Sequence, residues 1–321
     1  MLLIAAVSLQ VGCQSLEGRH APIDAPPEPS LLSSSAGDSA VLQAGGSAAS
    51  VGPARTIQKQ PSMNAMNEQA RTGLDSIVAR EGRSKPVIAI IGVNSGTEVT
   101  DYVVPYSILS ASGAADVWAL STQPGPIQMF PALTIEPHAT MDEFDVRFPE
   151  GADVVIVPAV HDDDTPDLLD WVTTQADRGA TVVGICDGVW VLTRAGLLSG
   201  RRVVGHWYSM SRLKRQFPET TWVSDQRFLA DGRLVTTTGV TASAPVSIAL
   251  VEAIAGRAKA DSLAAALGVS SWSSEHSSDQ FSLRMRHVRT AATNWLAFWR
   301  REDVGIPVYE GVDEIALALT A

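Results

Sequence analysis

Three short apolar runs, Val87–Ile91, Val154–Val157 and Thr181–Ile185, dominate what this chain can fold into. Each has strand length, is rich in β-branched residues, and is apolar at consecutive rather than alternate positions, as in a strand buried on both faces. Such strands belong to a parallel sheet covered by helices on both sides. The segments between them supply the helices. Helical spacing runs from Thr100 to Ala111 and ends near Gly113. A second helix is expected over 165–178, with Thr165 as N-cap, Pro166 at its first position and Gly179 closing it. Further helices are expected from Ser209 to Gln216 and from Ala244 to Ala255, the latter ending at Gly256. Val117–Ser121, Val203–His206, Trp222–Val223 and Leu234–Thr237 read as additional strands, with a hairpin through Leu133–Ile135. The expected fold class is α/β, with a mainly parallel sheet between helical layers.

The run from Thr181 leads into Gly184-Ile-Cys186-Asp-Gly188 and then Val189-Trp-Val-Leu192. Small residues flanking a central cysteine between a strand and a helix form a nucleophile elbow, a sharp turn that pushes the central side chain outward. A thiol there lies at a helix N-terminus, where backbone N–H groups and the helix dipole favour thiolate. A buried cysteine acting as a small hydrophobe is the bland alternative.

Ligands of open parallel sheets bind at the carboxyl ends of the strands. That rule selects residues 94–101 after the first strand, Ala159-Val160-His161 after Val157, Cys186-Asp187 at the elbow, and His206 after a later strand. Cysteine catalysis needs a thiolate, a proton partner and donors for a developing anion. Cys186 supplies the first, and Asp101 is placed to present a carboxyl to the sulfur as donor or base, or else is an exposed first-turn acid. His206 and His161 are the candidate proton shuttles, with Val160 and Asp187 as backbone donors and Glu98 and Trp207 as further pocket residues. The run His161-Asp-Asp-Asp164 reads as a solvated helix entry rather than a metal site, and neither metal nor cofactor is expected.

The flanks differ from this core. Residues 2–12 are apolar and end in Gly12 before Cys13, which resembles a lipoprotein signal in which the cysteine becomes lipidated. The run is too short for a stable transmembrane helix. Residues 14–84 are rich in Ser, Ala, Gly and Pro and read as a disordered tether, with a short helix over 64–81 leading into structure at Lys85. This arrangement predicts a bacterial envelope protein, lipid-anchored and facing the periplasm or exterior, or a cytoplasmic one if the N-terminus is no signal. The domain is expected over 85–256, followed by a helical extension over 257–321 with helices from Ser282 to Arg300 and from Asp313. The net charge of −11 argues against nucleic acid and favours a small-molecule partner.

Residues 85–256 resemble the ThiJ/PfpI family of the class I glutamine amidotransferase-like superfamily. Gly96-Thr-Glu-Val-Thr-Asp101-Tyr-Val-Val-Pro105 is similar to the family's first-strand segment, in which a carboxylate four residues before a proline approaches the cysteine. Gly184–Leu192 with Ala195-Gly196-Leu-Leu-Ser-Gly200 resembles the elbow, its helix and the following turn. Gly205-His206-Trp207 resembles the histidine segment of the branch that includes isonitrile hydratases and the amidase-like domains of AraC-type regulators. The resemblance implies a flavodoxin-like three-layer sandwich, a homodimer and a reactive Cys186 partnered by Asp101. The implied activity is that of a hydrolase, hydratase or amidase-like enzyme on a small molecule, or of a ligand-binding or redox-sensing module without turnover. Two departures stand out. Asp187 occupies the place where the protease-like branch has histidine, and Ala159 and Val160 replace the usual glycines after the third strand.

Overall fold

The computed structural model describes residues 77–278 together with Leu74, Met285, Arg289, Thr290 and Thr293. Cys13, nearly all of the expected tether, most of the expected helix over 282–300 and the terminal helix from Asp313 lie outside the described residues. No helix among the described residues is long and apolar enough to cross a membrane.

Seven strands form the central sheet: β1 (Val87–Gly92), β3 (Asp116–Ser121), β6 (Ala139–Thr140), β7 (Val154–Val157), β8 (Thr181–Gly184), β11 (Phe228–Asp231) and β12 (Leu234–Thr237). The short strands β2 (Thr97–Glu98), β4 (Ile127–Phe130) and β5 (Thr134–Ile135) form a small sheet of their own. Their order is β11-β12-β8-β7-β1-β3-β6, with every pairing parallel except the edge hairpin β11–β12. The chain reverses its direction of progress at β1, whose neighbours are β3 and β7. A ligand crevice opens at such a switch point.

The apolar runs enter the sheet because their side chains alternate between two cores. Ile88 and Ile90 face a cluster shared with helices α1 (Val99–Ser112) and α6 (Ser243–Ala255), while Val87, Ala89 and Ile91 face the opposite cluster. The second cluster is covered by α2 (Met141–Arg147), α3 (Pro166–Asp177) and α4 (Val189–Arg194), with Leu213 added by α5 (Met210–Gln216). The result is the expected flavodoxin-like α/β sandwich. Helix α1 stops where Gly113 takes φ 64, a left-handed conformation that continues no α-helix and suits glycine.

The structure differs from expectation in three places. The strand through Val203 is not part of the main sheet. β9 (Arg202–Val203) pairs with β10 (Thr221–Trp222) in a separate ribbon, fastened to the sheet because the Thr236 hydroxyl accepts the Val204 N–H at 2.9 Å. Packing also starts upstream of Lys85. Leu74 and Ile77 are buried in the α1 face core, and Arg80 and Arg83 both pair with the buried carboxylate of Asp153. The last residues of the expected 14–84 tether therefore pack with the domain. Finally, α7 (Arg257–Ala266) follows α6 directly and buries Ala260 and Ala264 in the same core.

Candidate active site

β8 ends at Gly184 and the chain turns through a 3-10 segment, Cys186–Gly188, into α4. Cys186 holds φ 56, a backbone conformation that is strained for a residue with a Cβ. The Thr237 hydroxyl steadies the turn by accepting the Cys186 N–H at 3.1 Å. Gly188 is required by space. A Cβ there would lie 2.1 Å from the Val157 carbonyl oxygen and 2.8 Å from that of Pro158. This close approach seats the elbow against the carboxyl end of β7.

Asp101 is the third residue of α1 and is fully buried. Glu98 caps the helix: its carboxylate accepts the Asp101 N–H at 2.7 Å and the Thr100 hydroxyl at 2.6 Å. Pro105, four residues on, has no N–H for the Asp101 carbonyl, so the helical ladder is interrupted beside the acid. The Asp101 carboxyl accepts the Ala159 N–H at 3.3 Å on one oxygen and the Ser243 hydroxyl at 3.1 Å on the other. Burial, and then the charge of Glu98, hold its pKa well above the ordinary carboxylate range. Burial also raises Glu98.

Cys186 is only 6% exposed. Burial, followed by the charges of Asp101 and Asp187, pushes its thiol pKa well up, opposed by the Asp187 N–H directed at the sulfur. Burial first, and then the nearby acids, oppose the thiolate that the terminus of the six-residue α4 is expected to favour. Burial thus acts against the charged form of both Asp101 and Cys186.

Of the two expected backbone donors, Asp187 N–H serves the sulfur. Val160 faces Thr97 in an isolated bridge, flanked by bonds from Glu98 N to the Ala159 carbonyl and from His161 N to the Gly96 carbonyl. That pattern leaves the Val160 N–H outside the ladder and available.

His206 comes to the elbow from the β9 ribbon. Its ring packs on Gly239, where a Cβ would lie 2.9 Å from the ring, and 5.4 Å from the Trp207 ring. Burial lowers its pKa, opposed by the charge of Asp187. Ser209 joins the two: its N–H donates to the His206 carbonyl at 3.0 Å and its hydroxyl to Asp187 Oδ2 at 2.8 Å. Asp187 Oδ1, His206 Nδ1 and Thr238 Oγ1 are buried without a hydrogen-bond partner. His161 sits apart from this group. Its ring is exposed, stacks on Phe130 at 4.2 Å and closes over Gly96. Ser209, Thr237, Thr238 and Ser243 escaped the sequence reading, since each acts across a long separation with no local spacing to mark it.

The DJ-1/PfpI family profile matches residues 87–253, just over half of the chain, and spans Asp101, the elbow, His206 and Ser243. The chain belongs to the DJ-1/PfpI family. An isonitrile hydratase of Pseudomonas putida is 29% identical over 162 residues, 49% of this chain and 67% of the hydratase. The HTH-type transcriptional regulator CdhR of Pseudomonas aeruginosa is 36% identical over 87 residues, but those are 27% of this chain and only 26% of the regulator. A ThiJ/PfpI family protein from Pseudomonas syringae superposes with a TM-score of 0.53 at 20% identity, covering 82% of this chain and 98% of that one. The DJ-1/PfpI fold accounts for the sheet order and for the elbow's place in it.

In this family member, the charge balance at Asp101 predicts an effect on stability. An aspartate whose folded pKa is raised stabilises the fold below the ordinary value of 3.8, and that contribution is lost as pH rises through the folded pKa. Asp101→Asn has the same shape without the charge. It is expected to raise unfolding stability by about 1–2 kcal/mol at pH 8, with the gain shrinking towards pH 4. Urea unfolding across that range measures it, and a gain equal at both ends contradicts the raised pKa.

Proposed function

We propose that this protein is a cysteine-dependent enzyme that adds water to a small molecule at a carbon–nitrogen bond, with Cys186 as nucleophile. The observation that carries this reading is the strained Cys186 turn beside the fully buried Asp101, whose pKa is raised by burial. The Cys186 sulfur attacks the substrate carbon, and the thiol proton passes by way of Asp101 to the substrate. The Val160 N–H is placed for the atom that gains electron density. With an amide, the carbon–nitrogen bond then breaks and ammonia leaves with the thiol proton. Water attacks the same carbon, the carbon–sulfur bond breaks, and its electron pair returns to sulfur with one proton of the water, while the other goes to the nitrogen of an isonitrile or stays on the acid formed from an amide. Asp187 in place of an adjacent histidine speaks against a protease. The isonitrile hydratase relative suggests the first compounds to try.

The full chain is incubated with alkyl isonitriles and small primary amides, and products are followed by mass spectrometry. Hydration of an isonitrile to the N-substituted formamide, or release of ammonia from an amide, is the expected result. Failure to turn over either class, together with no adduct on Cys186, overturns it.

A second reading, a ligand-binding module without turnover, draws on the regulator relative and on the raised thiol pKa. It predicts compounds that raise the melting temperature without being converted. A redox sensor is the less favoured form of that reading, because a buried thiol poor in thiolate oxidises slowly. Lipidation at Cys13, an envelope location and dimerisation remain part of the proposal, supported by the signal-like residues 2–13 and the family resemblance.

A further inference from the structure

Asp187 stands in the chain where no histidine follows the cysteine, and its side chain is engaged in a way the reaction above does not require. One carboxylate oxygen accepts the Ser209 hydroxyl at 2.8 Å, and the other is buried without a partner. Ser209 is itself buried and its N–H holds the His206 carbonyl at 3.0 Å, so one serine ties the elbow's carboxylate to the turn that carries the histidine. His206 Nδ1 is likewise buried and unpartnered. One serine thus joins two residues that each carry a buried, unpartnered polar atom, and buried polar atoms are normally hydrogen-bonded.

We propose that Asp187 and Ser209 are positioning residues: Ser209 clamps the Asp187 carboxylate against the His206 turn, and the carboxylate keeps His206 able to accept a proton from the attacking water. The proposal rests on the enzymatic reading and assigns its second half-reaction to a group other than Asp101. As the water oxygen bonds to the substrate carbon, its proton moves to His206. When the carbon–sulfur bond breaks, the electron pair goes to Cys186 Sγ and His206 returns the proton to it. Among the described residues, Asp187 is the charged group acting on His206. Gly239 and Trp207 are the neighbours against its ring and carry no charge. Removing the Asp187 charge must therefore make the imidazolium harder to form.

The experiment is an NMR titration of the histidine side chains in the full chain, with the His206 signal assigned by its loss in His206→Gln. In Asp187→Asn, which keeps shape and an acceptor for Ser209, the His206 midpoint is expected to fall by about one pH unit. Ser209→Ala is expected to shift it the same way and Ser209→Thr, which restores the hydroxyl, to bring it back. In an active preparation the acidic limb of the kcat profile moves down with the midpoint, and kcat falls about tenfold at neutral pH while KM changes little. A midpoint that stays put or rises in Asp187→Asn overturns the proposal. The titration requires no turnover, so failure of the enzymatic reading and failure of this pairing give separate results.

Discussion

Replacing Cys186 with Ser is expected to abolish turnover and leave the fold intact. Serine is close in size to cysteine, and a hydroxyl in that position still receives the Asp187 N–H. The φ of 56 strains both residues equally, so the substitution adds no backbone cost. Chemistry is what changes. A serine hydroxyl is a far weaker nucleophile than a thiol. The expected loss is about a thousandfold or more in kcat, with unchanged circular dichroism and a melting temperature within about two degrees. A variant that keeps a tenth of the wild-type rate removes the covalent role of Cys186.

Gly188→Ala is expected to be the most damaging small substitution in the domain. The added Cβ would stand 2.1 Å from the Val157 carbonyl oxygen, and neither partner is a side chain that can rotate away. Relief requires the elbow and the end of β7 to separate. Overpacking of this kind against backbone is expected to cost about 4 kcal/mol or more, or to prevent folding. Where the protein still folds, the separation moves Cys186 away from Ala159 and Val160, and kcat/KM falls about a hundredfold. Gly113→Ala is the contrasting case: φ 64 strains the alanine, but no atom lies within 4 Å of its Cβ, so about 1 kcal/mol is expected. Urea unfolding of the two variants measures the difference, and equal losses contradict a steric cause at Gly188.

The parts of the fold that were legible in the sequence are those whose cause is local. Val87–Ile91 and Val154–Val157 declare strands buried on both faces, Gly113 and Gly179 end helices, and the elbow's small residues mark its turn. The start of α2 carries an equally local mark, a capping box of Thr140 and Glu143, but no long apolar run follows it. What lay beyond reach depends on distant partners. Nothing near Val203 says that it pairs with Trp222 rather than with the main sheet. The same holds for the site. Cys186, Asp101 and His206 were chosen by motif and strand-end position, whereas Ser209 and Ser243 matter only through what they touch. The thiol's surroundings are a related case: the helix terminus is local and favours thiolate, whereas the burial and the acids that oppose it are brought in by folding.

The hydrogen bond from Ser243 to Asp101 joins residues 142 apart in the chain. During synthesis the acid emerges early and the cysteine midway, yet the seat that holds the acid is complete only after residue 243 has left the ribosome. The Thr237 hydroxyl that steadies the cysteine turn also arrives late. A nascent or truncated chain ending before β12 therefore carries the thiol and the carboxyl without the arrangement that couples them, and chemical competence comes only with the finished domain.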